Sequence, residues 1–278
     1  MKVLRGKVAV ITGGASGIGR SVAERCAAES MKVVLADIEE SPLILTAGTL
    51  ESSGAEVEAV VADVSNGSDV EALRDRALER FGAVHLVHNN AGVGVGGLLW
   101  TVPTADWKWI LGVNLWGVIN GIRTFVPLLV EQGEGHVVNT ASLAGLTSPG
   151  LLGPYNATKH AVVTISETLY RDLRIIGASV GVSVLCPGFV RTYIAESERN
   201  RPGWAPVSED DPLAEASRVM VRQMVDEGIE PSQVADRVID AVRTDTFYVL
   251  THDVSRSMVE ARMHDILEGR SPGDMSTG

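Results

Sequence analysis

Three side chains suited to proton transfer stand within residues 139–159: Ser142, Tyr155 and Lys159. Tyr155 and Lys159 are four positions apart, and Pro154, a residue favoured at the start of a helix, precedes the tyrosine. A helix that begins there places the phenol and the ammonium on one face. A nearby cation lowers the pKa of tyrosine from about 10, which would allow proton exchange near neutral pH. An ordinary surface pair on a helix has the same spacing, so the pair needs support from the rest of the chain.

A glycine-rich turn near the N-terminus could hold a phosphate group. Residues 7–12 are apolar and β-branched, as in a strand buried on both faces, and Gly13, Gly17 and Gly19 follow them before a helix-like segment. Glycine permits a tight turn and lets backbone N–H groups approach a pyrophosphate at a helix N-terminus. A plain strand-to-helix turn is the alternative.

Asp37 ends the second predicted strand, 20 residues after Gly17. A carboxylate there accepts hydrogen bonds from the ribose hydroxyls and repels a 2′-phosphate. Ile38 rather than arginine follows Asp37, and Ser16 rather than a basic residue precedes Gly17. These residues favour NAD over NADP. The other role for Asp37 is a helix cap, but Ser41, with proline after it, is the better candidate for that cap.

Strands and helices alternate along the chain. Predicted strands are 7–12, 32–36, 56–62, 83–88, 135–140, 178–186 and 247–251, and the clearest predicted helices are 41–53, 67–81, 104–131, 155–176, 232–243 with Ser232 as its cap, and 255–268. This alternation predicts an α/β fold, a Rossmann-like doubly wound parallel β-sheet with helices on both faces. Ligands bind at the carboxyl ends of such strands, where the glycine, aspartate, asparagine and serine residues of this sequence gather.

The composition narrows the class of protein. The 278 residues are 45% hydrophobic and 21% charged, which is typical of a globular protein. The net charge of −11 argues against nucleic acid and against an anionic membrane as partners. Two distant cysteines, no signal peptide and no apolar run near the roughly 20 residues of a membrane span predict a cytoplasmic protein. The scattered histidines predict no metal site.

One domain is predicted over residues 1–270, followed by a flexible tail, 271–278. Residues 189–231 differ from the rest because they are polar, contain several prolines and include the acidic run Glu209, Asp210 and Asp211. We expect this stretch to be an insertion that closes over the substrate as a lid.

In its motifs the sequence resembles the short-chain dehydrogenase/reductase family, in the single-domain branch. The matching motifs extend over about residues 5–250 and are Thr12-Gly13-x-x-x-Gly17-x-Gly19, Asp63-Val64, Asn89-Asn90-Ala91-Gly92, Asn114, Ser142, Tyr155-x-x-x-Lys159, and Pro187-Gly188 with Thr192. Each motif is modest alone, but together and in this order they are specific.

The resemblance implies a role for each matching residue. Tyr155 would be the general acid/base, Lys159 would hold the nicotinamide ribose and lower the tyrosine pKa, and Ser142 would bind the substrate oxygen. Asn114 would order a water in a proton relay, and Asp63 and Val64 would flank the adenine. Asn89 would line the ribose side, although part of its role in the family is to hold the sheet. The implied cofactor site also includes Gly13, Ser16, Gly17, Ile18, Gly19, Asp37, Ile38, Ala91, Gly92, Pro187, Gly188, Val190 and Thr192.

The predicted function is hydride transfer between NAD and a secondary alcohol or ketone. Val95, Leu143, Ala144, Leu152 and Phe189, with Gly94, are candidate walls of the substrate pocket, and their apolar character predicts an apolar, uncharged substrate, with aromatic or steroid-like compounds included. The alternative is a catalytically silent dinucleotide-binding regulator, because fold alone does not imply function. Dehydratase or epimerase activity is more typical of larger two-domain relatives. The resemblance also implies a homotetramer or homodimer.

Overall fold

A computed structural model describes residues 1–206 and 212–273. The strands are β1 Val8–Thr12, β2 Lys32–Asp37, β3 Val57–Val61, β4 Leu86–Asn89, β5 Gly135–Thr140, β6 Val180–Cys186 and β7 Tyr248–Leu250. The helices are α1 Gly17–Ala28, α2 Glu40–Ser52, α3 Gly67–Phe81, α4 Thr104–Ile110, α5 Gly117–Gln132, α6 Ala144–Thr147, α7 Gly153–Ile175, α8 Pro212–Asp226, α9 Pro231–Thr244 and α10 Val254–Leu267. A π-helical segment, Leu111–Trp116, joins α4 to α5, and a 3₁₀ segment, Tyr193–Asn200, follows β6.

The sheet has seven strands in the order β3-β2-β1-β4-β5-β6-β7, and all the pairings are parallel. Alternate side chains of β1 point to opposite faces, so Ala9 and Ile11 pack with α1, α2 and α9, while Val8 and Val10 pack with α3, α5 and α7. Helices on both faces of a parallel sheet form the predicted doubly wound α/β fold. The strand order reverses between β1 and β4, and a cleft forms at the carboxyl ends of the strands on this side of the molecule.

Two predicted helix caps are wrong. Helix α2 begins at Glu40 with Glu39 as its N-cap, so Ser41 lies inside the first turn. Helix α9 begins at Pro231, and Glu230 caps it by a reciprocal capping box with Gln233, in place of Ser232. In both cases the helix starts one residue before the serine, and a glutamate two residues before the serine is the N-cap.

The predicted lid, residues 189–231, contains the 3₁₀ segment and α8, while its acidic run lies outside the described residues. Pro272 and Gly273, part of the predicted tail, line the cleft. One long helix, Thr104–Gln132, is apolar enough by length and composition to span a membrane, with a mean hydropathy of 1.4. Core helices of soluble proteins meet the same criterion, and the α5 part of this helix packs against β4 and β5.

Candidate active site

The cleft at the carboxyl ends of the strands has a volume of about 1430 Å³. Its floor consists of the loops that follow β1, β2, β4, β5 and β6, and the 3₁₀ segment, α8 and α10 contribute the outer wall. Most of the predicted site residues line it: Gly13, Ser16, Gly17, Ile18, Asp37, Ile38, Asp63, Val64, Ala91, Gly92, Ser142, Leu143, Ala144, Leu152, Tyr155, Lys159, Pro187, Gly188, Phe189, Val190 and Thr192. Four predicted residues, Gly19, Asn89, Val95 and Asn114, do not.

The three residues predicted to take part in proton transfer meet on the cleft floor. Pro154 lies in the first turn of α7, as the sequence predicts, and the helix carries Tyr155 and Lys159 one turn apart. The side chain of Ser142, which follows β5, interacts with the Tyr155 hydroxyl, and this interaction lowers the pKa of Tyr155. The ammonium of Lys159 donates to the Thr140 carbonyl oxygen at 2.9 Å and lies 5.5 Å from the centre of the tyrosine ring. The cluster therefore contains a phenol, a hydroxyl and a cation that one small molecule could contact together.

The electrostatics of the cluster differ from the prediction. Burial raises the pKa of Tyr155, and its interaction with Ser142 offsets only part of this effect. Burial also lowers the pKa of Lys159 to about 8, since its charge is removed from water. The pKa of Tyr155 is thus raised, not lowered as the sequence predicted, because burial decides the direction of the shift.

Asn114 stabilises the floor from below. It lies in the π-helical segment, where the wider helix displaces the backbone, and π-helical turns are frequent at functional sites. Its side chain accepts from the Val93 N–H at 2.8 Å and donates to the Val93 carbonyl at 2.9 Å. Gly92 leaves room above it, because a Cβ there would lie 3.4 Å from the Asn114 amide oxygen and 3.6 Å from the Lys159 nitrogen.

The glycine turn after β1 borders the cleft. Gly13 and Gly17 have positive φ angles of 65° and 51°, which only glycine adopts readily, and both line the cleft. A Cβ on Gly19 would lie 2.1 Å from the Gly13 carbonyl oxygen. Gly19 therefore allows α1 to pack on the turn rather than contacting a ligand. Ser16, Gly17 and Ile18, at the start of α1, line the cleft, and a helix N-terminus favours an anion.

Asp37 has two roles in the structure. Its carboxylate accepts the backbone N–H of Ala15 at 3.0 Å and that of Glu39 at 3.1 Å, so it fixes the glycine turn and the start of α2. It also lines the cleft, and burial raises its pKa. A carboxylate oxygen can accept more than one hydrogen bond, so these contacts leave acceptor capacity for a ribose.

The structure places Asn89 in the sheet rather than in the cleft. Asn89 is the last residue of β4, and its amide donates to the Asn139 side chain at 2.8 Å, on the face covered by Gly121 of α5. Asn90, one residue beyond the strand, lines the cleft instead and donates to the Thr12 carbonyl at 3.0 Å. Strand alternation moves successive side chains to opposite sides, which explains the exchange of roles.

His252 is a site residue that the sequence did not reveal. It follows β7, lines the cleft, and brackets the turn at Pro187-Gly188. Its Nδ1 accepts the Gly188 N–H at 3.3 Å, and its Nε2 lies 3.1 Å from the Phe189 carbonyl oxygen. Because a backbone N–H only donates and a carbonyl only accepts, these contacts require the neutral ring with its proton on Nε2.

The 3₁₀ segment crosses the cleft as a strap that is held at several places. Ser197 accepts the Gly94 N–H at 3.0 Å, and Thr192 packs on Gly17. The guanidinium of Arg199 binds both carboxylate oxygens of Glu39 at 2.7 to 3.2 Å, and this contact holds the pKa of Glu39 below its usual value. These long-range partners have no local signal in the sequence.

The apolar wall of the cleft is larger than predicted. Phe189, Tyr193, Trp204, Met220 and Met224 all line it and are exposed. Val95 instead packs with Val93, Trp109, Ile110 and Ala205 in a small core cluster, and it faces a second, smaller cavity.

The chain matches the family model described as short chain dehydrogenase over residues 7–203. It is 33% identical to the CLA biosynthesis dehydrogenase/reductase of Lactiplantibacillus plantarum, over 98% of this chain and 97% of that protein. It is 34% identical to the 1-deoxy-11-beta-hydroxypentalenate dehydrogenase of Streptomyces exfoliatus, over 95% of this chain and 89% of that protein. A short-chain dehydrogenase/reductase from Burkholderia phymatum, solved in complex with NAD, superposes with a TM-score of 0.98 at 48% identity, with all of both chains covered. The fold, the arrangement of the cleft and these matches together lead to one conclusion: the chain belongs to the short-chain dehydrogenase/reductase family of oxidoreductases.

Proposed function

We propose that this protein is an NAD-dependent dehydrogenase/reductase that interconverts a bulky, apolar secondary alcohol and its ketone, with Tyr155 as the general acid/base. The observation that carries the proposal is the cluster of the half-buried Ser142 and Tyr155 with the buried Lys159 on the floor of a dinucleotide-sized cleft. A surface pair on a helix would be exposed to water, whereas Lys159 is 3% exposed.

The cleft fits a dinucleotide. Gly13 and Gly17 leave the backbone open to a pyrophosphate, Asp37 offers a carboxylate to a ribose, and the Lys159 ammonium lies near the Gly92 backbone. NAD, when bound, supplies the hydride acceptor at its nicotinamide ring. The Asp37 carboxylate would repel a 2′-phosphate, and the complex of the Burkholderia phymatum protein with NAD supports the same preference.

The residues of this chain would then handle the proton and the oxygen. Ser142 donates a hydrogen bond to the substrate oxygen and stabilises the negative charge that develops on it. In ketone reduction the Tyr155 hydroxyl donates its proton to that oxygen, and in alcohol oxidation the phenolate accepts it. Lys159, in its charged form, stabilises the phenolate because opposite charges attract more strongly in a buried site.

The wall of the cleft indicates the class of substrate. Its exposed members are aromatic residues and methionines, and methionine adapts its flexible side chain to irregular apolar surfaces. We infer a substrate with a large apolar skeleton, with aromatic and polycyclic skeletons included. The Streptomyces exfoliatus relative is named for a substrate with a hydroxyl group, 1-deoxy-11-beta-hydroxypentalenate, and this agrees with an alcohol as the substrate class.

A panel of apolar secondary alcohols and ketones tests the proposal. Initial rates would be measured by NADH absorbance with NAD and with NADP, and an NADH titration would follow binding separately. We expect turnover of apolar members with NAD preferred. Tight NADH binding without turnover of any member would instead indicate a silent dinucleotide-binding protein, and turnover only of charged sugars or thioesters would reject the substrate class.

We also propose that the protein assembles as a homotetramer or homodimer. The exposed apolar side chains Trp116, Ile175 and Ile176 at the ends of α5 and α7 support contacts between copies. Light scattering coupled to gel filtration measures the mass, and a monomer at micromolar concentration would contradict the proposal.

A further inference from the structure

A small polar chamber lies beside the cleft and has no part in the proton transfer described above. Its volume is about 70 Å³, and residues of the Gly94–Pro103 region, the 3₁₀ segment and α8 line it. Six residues line both the chamber and the cleft: Gly94, Leu152, Ile194, Ser197, Arg201 and Val221. The chamber therefore shares a wall with the cleft, and it is large enough for about two groups the size of water.

Two polar atoms in the wall of the chamber have no hydrogen-bond partner among the described residues. They are Nε of Arg201 and Oγ of Ser217. The Arg201 side chain is 7% exposed and Ser217 is 1% exposed, so water outside the protein does not satisfy them. An unpaired buried donor is costly, and a ligand that pairs with it gains the corresponding free energy.

The arginines around the chamber are already paired. The Arg201 guanidinium binds Asp106 at 2.5 Å and Glu198 at 3.4 Å, and Arg218 binds the same glutamate at 3.0 Å and Glu215 at 2.7 Å. Arg201 also lies 4.6 Å from the centre of the Trp109 ring, which fixes its plane. Two arginines face three carboxylates, so a carboxylate or phosphate from a ligand would find no free cation among the described residues. A neutral group is favoured.

The pattern of hydrogen bonding then specifies the group. Nε of Arg201 only donates, so its partner must accept, while the Ser217 hydroxyl can donate or accept. A hydroxyl or carbonyl oxygen meets both conditions. Gly96 packs directly against Ser217, because a Cβ on Gly96 would lie 2.7 Å from the Ser217 oxygen. Gly96 does not have a positive φ, so alanine fits the backbone conformation there, and its Cβ would displace the Ser217 hydroxyl.

We propose that this chamber is a subsite for a second, uncharged oxygen of the substrate, a hydroxyl or carbonyl remote from the carbon that undergoes hydride transfer. The proposal rests on the proposed function for the reacting end of the substrate, and it narrows the substrate class to apolar skeletons that carry two oxygens. Arg201 and Ser217 would select such molecules, while the apolar wall of the cleft binds the skeleton between the two oxygens.

The test compares 2-alkanones of six to twelve carbons with their analogues that carry a terminal hydroxyl, and with analogues that carry a terminal carboxylate. At one chain length, we expect the kcat/KM for NADH-dependent reduction of the hydroxyketone to be roughly 3- to 10-fold above that of the parent ketone. This gain corresponds to one or two buried hydrogen bonds with the terminal hydroxyl. The carboxylate should give no such gain. Ligand-observed NMR with the same compounds measures binding without turnover.

Ser217→Ala and Gly96→Ala should bring this ratio towards one. Ser217→Ala removes an unpaired buried hydroxyl and should fold normally, which thermal unfolding checks. Ser255→Ala is the matched control, because Ser255 is also buried, is also unpaired among the described residues, and does not line the chamber. It should preserve the ratio of the unaltered protein.

The outcomes separate the two proposals. If the ketones are reduced but no hydroxyketone is preferred in turnover or in binding, the subsite is rejected and the proposed function stands. If no ketone is reduced but a hydroxyketone binds more tightly to the unaltered protein than to Ser217→Ala, the subsite stands and the function is rejected. A preference that survives both Ser217→Ala and Gly96→Ala also overturns the subsite.

Discussion

Replacing His252 by alanine should weaken the binding of NADH. The ring holds the Gly188 N–H at 3.3 Å and the Phe189 carbonyl at 3.1 Å, and it packs so closely on Gly188 that a Cβ there would lie 2.9 Å from Nδ1. Each hydrogen bond is worth about 0.5–1.5 kcal/mol net, so the loss of two amounts to about 1–3 kcal/mol. If this free energy holds the turn in its binding position, the Kd for NADH rises by about 5- to 150-fold.

The assay is a fluorescence titration of NADH, with circular dichroism to check that each variant is folded. His252→Gln should restore part of the affinity, because a side-chain amide, like the neutral ring, has both a hydrogen-bond acceptor and a donor. His264→Ala, an exposed histidine on α10, is the control and should bind NADH normally. An affinity of His252→Ala within twofold of the unaltered protein would refute the positioning role.

Three further predictions concern the cofactor cleft and its charges. Asp37→Ala should reduce the kcat/KM for NAD by about 10- to 150-fold, because it removes a hydrogen bond to a charged group, and it should raise the use of NADP relative to NAD. Steady-state rates with both cofactors measure this preference. An unchanged preference would mean that Asp37 does not discriminate between NAD and NADP. Glu39→Gln should speed NADH dissociation about two- to fivefold in stopped-flow fluorescence, because it breaks a partly exposed ion pair with Arg199. Glu24→Gln is the control, because it breaks an exposed ion pair within α1 and should leave the dissociation rate unchanged. Equal dissociation rates in both variants would contradict the role of the 3₁₀ segment as a strap over the cleft. Burial lowers the pKa of Lys159 to about 8 in the folded protein, so the unfolded chain binds more protons between about pH 8 and 10.4 and stability should rise across this window. Urea unfolding measures the free energy of unfolding at each pH, and this free energy should rise with pH more for the unaltered protein than for Lys159→Met. Parallel pH dependences of the two proteins would contradict the prediction.

Local patterns were sufficient to predict the elements that position the site. The alternation of apolar strands with amphipathic helices determined the sheet, and the rule that ligands bind at the carboxyl ends of strands located the cleft. The spacing of Tyr155 and Lys159 after Pro154 required only the geometry of one helix. These features depend on interactions between residues close together in the chain, which is why the sequence could reveal them.

Other features depend on contacts between distant residues. His252 meets Gly188 across 64 positions, and Arg199 meets Glu39 across 160, so neither pair has a spacing that a motif could record. Asn90 rather than Asn89 lines the cleft because β4 ends at Asn89. The exact end of a strand is difficult to predict from sequence patterns. The raised pKa of Tyr155 required knowledge of its burial, since proximity to Lys159 alone predicted the opposite sign.

The substitution Tyr155→Phe tests the central claim most directly, because it removes only the hydroxyl that transfers the proton. Steady-state reduction of an apolar ketone and NADH titration would be measured on the same preparation, with Tyr170→Phe, on the same helix, as the control. We predict that kcat/KM falls by at least about 100-fold, the lower range for general acid catalysis, while the Kd for NADH changes little. Equal turnover by Tyr155→Phe and the unaltered protein would contradict the proposed mechanism.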